Sequence, residues 1–371
     1  MKKQLLCTSA IALGVAAAPA TAQQWDLTWG GFYNTHVAIS NTGGDATKGD
    51  GAPDYDGLNT FVTGEIIFTP SVTLDNGLTF GFRADLEAQN NVNQFDESFF
   101  TLSGDTFGRL EIGGTNSAGY KLSIGAPEVT SMWINSPSIS AFVPVSFAVP
   151  FNFRQAAISS YTEVAGNNDG TRINYFTPDF NGLTLGISYA PTATTVAPQG
   201  FDGLGAIADR SVRPLKDIWD IGLYYGQSFG TTDVAFSARY GEASTAGTAP
   251  AGAGDPSTWA VGLSVGFDAF TIGGSYAKND NDDGTFGLDQ KGWSLGMSYD
   301  YAAWSFGLTT YQGKYDAPGS SDIAMYKLGA SRDLGAGVSW DLYAIYVDAD
   351  NVLGAGDVDG TVVGTAINLS F

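Results

Sequence analysis

Thiols, imidazoles, positive charge and long apolar runs are all scarce in this chain. The single cysteine, Cys7, falls within an N-terminal stretch that reads as an export signal, so the remaining chain can form no disulfide and offers no thiolate to a metal. Cys7 does not read as a lipidation site, since the apolar core of that stretch follows it rather than precedes it. The single histidine, His36, would have to carry any Ser-His or Asp-His mechanism alone, and it reads more simply as a lumenal or rim residue. Only 17 lysines and arginines stand against 38 acids, a net charge of −21, which argues against nucleic acid as a partner because a polyanion is bound by basic groups. Beyond the N-terminal stretch, no run approaches the roughly 18 to 20 apolar residues of a membrane-crossing helix.

What is present points to a membrane all the same. Lys2 and Lys3, an apolar stretch from Leu5 to Ala18 and the small-residue site Ala20-Thr21-Ala22 predict a cleaved signal over 1–22, leaving 23–371 as one domain. In that domain bulky and small residues alternate with the period of two that a strand imposes. Val363, Thr365, Ile367, Leu369 and Phe371 share one face; Gly364, Ala366, Asn368 and Ser370 share the other. Trp219, Ile221, Leu223 and Tyr225 repeat the pattern, as do Trp293, Leu295, Met297, Tyr299 and Tyr301. A soluble sandwich puts its large groups into a packed interior. Here one face suits lipid while the other, small and hydroxylated, can line water, as in a transmembrane β-barrel. A secreted, acidic, glycine-rich all-β protein is the alternative that composition alone would allow.

The connections alternate in kind. Tight ones, such as Asp75-Asn76-Gly77, Asn181-Gly182, Ala302-Ala303 and Gly335-Ala336-Gly337, follow long polar ones, such as Asn41 to Leu58, Thr192 to Pro214 and Asp280 to Gln290. Short periplasmic turns and long external loops give that rhythm. Segments at 25–40, 59–74, 78–90, 95–104, 108–116, 169–178, 183–191, 216–228, 233–242, 257–267, 270–279, 290–301, 304–312, 321–332, 337–348 and 361–371 predict an antiparallel barrel of about sixteen strands. Trp25, Trp29, Tyr299, Tyr301, Trp304 and Trp340 lie at strand ends, where interfacial aromatic girdles form. One connection, about 117–168, is far longer than ordinary loops and carries Trp133, Ile139, Phe142, Val143, Phe147, Phe151 and Phe153 against four charges, Lys121, Glu128, Arg154 and Glu163. Left outside the barrel it would expose a large apolar patch, so it is expected to fold inward.

Strand parity places Glu65, Arg83, Asp85, Glu87, Arg109, Glu111, Arg172, Arg239 and Lys327 on the lumen face, where charge stays hydrated and can set ion preference. Arg83, mid-strand beside Asp85, is the strongest of these candidates, and Arg109 lies nearer the periplasmic mouth. No catalytic residue is expected. Gly262-Leu263-Ser264-Val265-Gly266 matches a nucleophile elbow, but it sits inside an alternating strand rather than at a strand-to-helix turn. Asp280, Asp282 and Asp283 resemble a weak calcium loop that lacks the closing glutamate, with Lys291 at the twelfth position. A structural calcium there, or divalent cations bridging acidic loops to lipopolysaccharide, is the one cofactor these residues suggest.

Gly104-Asp105-Thr106-Phe107-Gly108-Arg109-Leu110-Glu111-Ile112-Gly113 resembles the Phe-Gly-x-Leu-x-x-Gly hairpin of Gram-negative general diffusion porins. The signal, the terminal Phe371, the strand count and the long loop extend that resemblance over nearly the whole domain, most closely to the porins of alphaproteobacteria. It implies a homotrimer in the outer membrane, passive diffusion of small hydrophilic solutes and ions, and Phe371 as a signal read by the barrel-insertion machinery. It also implies a constriction at about 117–152, with Glu128 as the loop's eyelet charge and Arg83 as a wall partner. Pro127-Glu128 matches the family's Pro-Glu pair, although Val129 and Thr130 replace the usual glycines and the usual several loop acids are missing. Acids on the lumen face give an expectation of mild cation preference. The competing reading is a plugged or adhesive barrel that binds ligands through its external loops; a barrel hydrolase is disfavoured by the near absence of histidine.

Overall fold

The computed structural model describes residues 24–48, 52, 54–89, 95–145, 154–193, 214–282, 288–316, 321–350 and 356–371. The predicted signal, Asp283 and part of the long loop, 146–153, lie outside them. Sixteen strands follow in order: β1 (Asp26–Gly43), β2 (Gly57–Thr73), β3 (Thr79–Glu87), β4 (Phe95–Gly104), β5 (Gly108–Gly114), β6 (Thr171–Phe176), β7 (Leu183–Thr192) and β8 (Leu215–Phe229), then β9 (Thr232–Thr245), β10 (Ser257–Phe267), β11 (Phe270–Asp280), β12 (Asp289–Tyr301), β13 (Trp304–Asp316), β14 (Ser321–Gly335), β15 (Val338–Asp350) and β16 (Val358–Ser370). Each pairs antiparallel with its sequence neighbours, and β1 pairs with β16, so the sheet closes and leaves no edge.

All sixteen expected strands form. Several run further toward the long connections than the alternation suggested: β13 continues to Asp316 and β9 to Thr245. There the outward residues turn polar, Gln312, Lys314 and Asp316 on β13 and Glu242 and Ser244 on β9, so the apolar alternation fades in the sequence, while inward Tyr315 and Ala243 stay buried. β6 is shorter than expected, because Asp169 and Gly170 belong to the long loop.

Register fixes two faces. Across β11, β12 and β13, Ser275 pairs with Ser294 and Ser294 with Tyr311 on the inside, while Trp293, Leu295 and Met297 stand exposed outside. Tight turns hold the hairpins where Asn181 and Gly182 both take positive φ, the requirement of a two-residue turn that matches strand twist. The proposed girdle aromatics sit at the strand ends that meet these turns, with Trp29 stacked on Phe68 and Trp304 on Phe306.

The buried apolar core lies within the barrel. Ile134, Ile139, Phe142, Val143 and Val145 of the long loop pack against inward residues of β1 and β13 to β16, among them Ala38, Tyr343, Ile345 and Val362. Burial of this kind is worth roughly 25 cal/mol per Å².

Candidate functional site

The loop between β5 and β6 follows the inner wall in two branches. The outgoing branch begins with a one-turn helix, α1 (Ala118–Leu122), capped by the Ser117 hydroxyl, which accepts from the Tyr120 amide at 3.2 Å. Its free amides find partners on the wall: Ala118 N donates to Ser188 Oγ of β7 at 2.6 Å and Gly119 N to Asp220 Oδ1 of β8 at 2.7 Å. Further on, Ile124 N donates to Ser237 of β9 at 3.0 Å, Ala126 N to Ser294 of β12 at 3.1 Å, and Ser131 N to Asp341 of β15 at 2.7 Å. The returning branch runs back along the same wall, with Ala157 N on Gln290 of β12, Ala156 N on Asn279 of β11 and Thr162 beside Thr258 of β10. Asn135 and Ser160 tie the branches together at 2.8 Å.

Inward glycines make this approach feasible. A Cβ at Gly292 or Gly313 would collide with the carbonyl oxygens of Ala156 and Ala157. The small inner face, read from sequence as a way to keep the lumen open, is also the seat of the loop.

Register places all nine lumen charges read from sequence on the inner face. Seven of them fall into two groups of ion pairs. Arg172 with Glu163 at 3.4 Å and Lys327 with Glu128 are buried pairs that fasten loop to wall, and Arg239 with Asp220 is a buried pair within the wall that receives the loop. Arg239 also donates to the Thr162 carbonyl and Ser117 N donates to Glu163 at 2.7 Å, so each pair holds backbone as well. In the other group the cations Arg83 and Arg109 are partly exposed while their acids are buried. Arg83 pairs with Asp85 at 2.8 Å, Arg109 with Glu111 at 3.2 Å, and Lys121 with Glu111 at 2.9 Å. Arg83, Arg109, Glu111 and Lys121, with Glu97 and Phe99, line a recess of about 550 Å³ between α1 and the wall of β2 to β5.

One sequence-based assignment changes and another is narrowed. Glu128 does not face Arg83: its carboxylate is taken by Lys327, and Arg83 is held by Asp85 two residues along the same strand. His36 is on the inner face but fully buried under the loop, beside Phe61 and with its Nδ1 3.2 Å from the Tyr343 hydroxyl, rather than at a rim. Ser264 of the elbow-like motif lies mid-strand in β10, paired with Gly273. Asp282 accepts from the Gly254 amide at 2.6 Å, a loop-to-loop contact. Among the described residues the carboxylates that converge are instead Glu65, Glu87 and Asp96, whose oxygens lie within 4.8 Å of one another.

Sequence reading missed Asp220, Asp341 and Glu97. Parity could have found the first two, since Asp220 lies between outward Trp219 and Ile221 and Asp341 between Trp340 and Leu342. It could not find Glu97, because an irregular register between β3 and β4 near Ala84 and Leu86 shifts the alternation there. In the loop, burial raises the Asp169 carboxyl well above its ordinary value, with Asp96 and Glu97 adding to the rise. Burial likewise pushes the Tyr161 hydroxyl up to about 12.

Known proteins bear on this arrangement. The chain matches the Gram-negative porin family over residues 8–352. Solved structures with the same fold include an anion-selective porin from Comamonas acidovorans, 18% identical over 94% of this chain and 100% of that one with a TM-score of 0.57. The outer membrane channel DcaP of Acinetobacter baumannii is 12% identical over 96% and 100%, with a TM-score of 0.60. Salmonella typhi OmpF, in complex with daunomycin, is 16% identical over 94% and 98%, with a TM-score of 0.59. Among curated proteins none is significantly similar. The chain belongs to the Gram-negative porin family, whose barrels carry small solutes across the outer membrane by passive diffusion.

Proposed function

We propose that solutes pass between the long loop and the wall of β2 to β5, and that the loop sets the width of this passage. The observation that carries the reading is the split among inner-face charges: those beside β6 to β15 are buried in loop contacts, while Arg83 and Arg109 remain partly exposed around the recess. Glu65, Glu87 and Asp96, which form no ion pair among the described residues, support cation preference, because fixed charge in a narrow aqueous path selects the opposite sign. The protein works as a homotrimer of the alphaproteobacterial type, exported through cleavage of 1–22 and inserted by machinery that reads Phe371. Its external loops contact lipopolysaccharide.

Stepwise conductance in a planar bilayer tests the passage. Deleting residues Glu128 to Ser138 should raise the unit conductance in a variant that still assembles. Unchanged conductance would remove the loop from the path, and no conductance in the wild type would favour a plugged or adhesive barrel.

A further inference from the structure

Inward-facing rings in this barrel are repeatedly matched with cations. The Lys121 ammonium stands 4.3 Å from the Phe99 ring centroid, the Arg109 guanidinium 4.4 Å from that of Phe176, and the Arg154 guanidinium 4.7 Å from that of Tyr120. Tyr120 begins a row along the loop: its centroid is 6.1 Å from that of Tyr161, which is 6.4 Å from that of Trp133. Trp133 ends the row, and among the described residues no protein cation stands over it. Met132 and Ile134 on either side are fully buried against the wall, whereas Trp133 is 42% exposed, so its indole turns away from the wall.

Tryptophan is the strongest of the aromatic side chains in attracting a cation to its face. The wall of β2 to β4 carries Glu65, Glu87 and Asp96, none of which forms an ion pair among the described residues, so the lumen holds acid that favours a cation. Hydrogen-bonding groups beside the indole are already engaged: Asn135 with Ser160, Ser136 with Ser138, and Glu128 with Lys327. That leaves little to receive the hydroxyls of a sugar, but a weakly hydrated cation needs only the ring face and the acidic field.

We propose that Trp133, backed by Tyr161 and Tyr120, is a transient binding site for organic cations, holding an ammonium or guanidinium group on the indole face as Arg154 is held on Tyr120. The proposal rests on the reading of the lumen as an open passage. In passage a cation would leave bulk water, pause on the indole and move on, so the site lengthens transit without trapping the solute.

The test is current interruption in single channels bathed in potassium chloride, with choline added to one side and its neutral isostere 3,3-dimethylbutan-1-ol as the comparison. Choline should interrupt the current and the isostere should not. Trp133→Ala should shorten choline residence roughly two- to fivefold, with Trp133→Phe between that variant and the wild type. Equal interruption by choline and the isostere, or residence unchanged in Trp133→Ala, would overturn the proposal. Should Trp133→Ala fail to assemble, Trp133→Phe decides: choline residence equal to that of the wild type would overturn the proposal and a shorter residence would support it. Absence of potassium conductance in the wild type would refute the open passage, whereas normal potassium conductance without any choline effect would refute only the cation site.

Discussion

Glu128 of the loop and Lys327 of β14 form a buried ion pair between residues 199 apart in the chain. The Lys327 ammonium also donates to Thr130 Oγ1 at 3.0 Å and to the Met132 carbonyl at 2.8 Å, so one cation grips three points of the loop. Its hydrogen-bonding capacity is fully used. The loop acid that the sequence offered as an eyelet charge is therefore an anchor, and its charge is cancelled at short range.

Removing either member leaves the other charged, buried and alone, a loss of about 3–5 kcal/mol where replacing both with uncharged groups costs less. Glu128→Gln and Lys327→Met should each increase spontaneous fluctuation of the single-channel current, and the double variant should fluctuate less than the sum of the two. Ion preference should barely move in the double variant, where neither charge is left uncompensated. Strictly additive effects in the double variant would show that the pair is not a unit.

Cation preference should trace to the acids that lack partners. Asp85 is compensated by Arg83, and Glu111 by Arg109 and Lys121, whereas Glu65, Glu87 and Asp96 form no ion pair among the described residues. The triple substitution Glu65→Gln, Glu87→Gln and Asp96→Asn should bring the reversal potential in a salt gradient toward zero. The change should shrink at 1 M salt, where the screening length falls to about 3 Å. A reversal potential insensitive to these three substitutions would place the selective charge elsewhere.

Much of this was legible in the sequence, for a physical reason. Lipid outside and water inside impose opposite demands on adjacent residues, so the period of two survives in Trp293 to Tyr301 without any knowledge of the fold, and parity alone sent Arg172, Arg239 and Lys327 inward. Partnership was not legible. Whether Arg83 meets Glu128 or Asp85 depends on where a loop of about fifty residues lies, and no local pattern encodes that path. The inner glycines carried the missing signal: Gly292 and Gly313 admit loop backbone that any Cβ would exclude. That meaning emerges only once the loop is seen against them. The inward side of His36 was legible but its burial was not, because that is supplied by Phe61 and Tyr343 from other strands, with Phe142 of the loop packed on Phe61.

The apolar half of the loop yields the last prediction. Phe142 is fully buried, its ring edge-on to Phe61 at 6.2 Å, and Val143 beside it packs over Gly360 of β16. Shortening Phe142 to alanine would lose the transfer energy of the ring and leave a cavity that the rigid barrel wall cannot collapse to fill, about 3–5 kcal/mol in all. Because the barrel is closed by its own backbone ladder, that loss should fall on loop docking rather than on the sheet. Phe142→Ala should therefore assemble normally, exchange the Val143 and Val145 amides with solvent faster than the wild type, and show noisier or larger unit conductance. Ser138→Ala, at a partly exposed position outside this packing, should leave both measurements unchanged. Fast exchange confined to strand amides in Phe142→Ala would mean that the ring stabilises the barrel wall itself, and the loop would then not be an independently docked element.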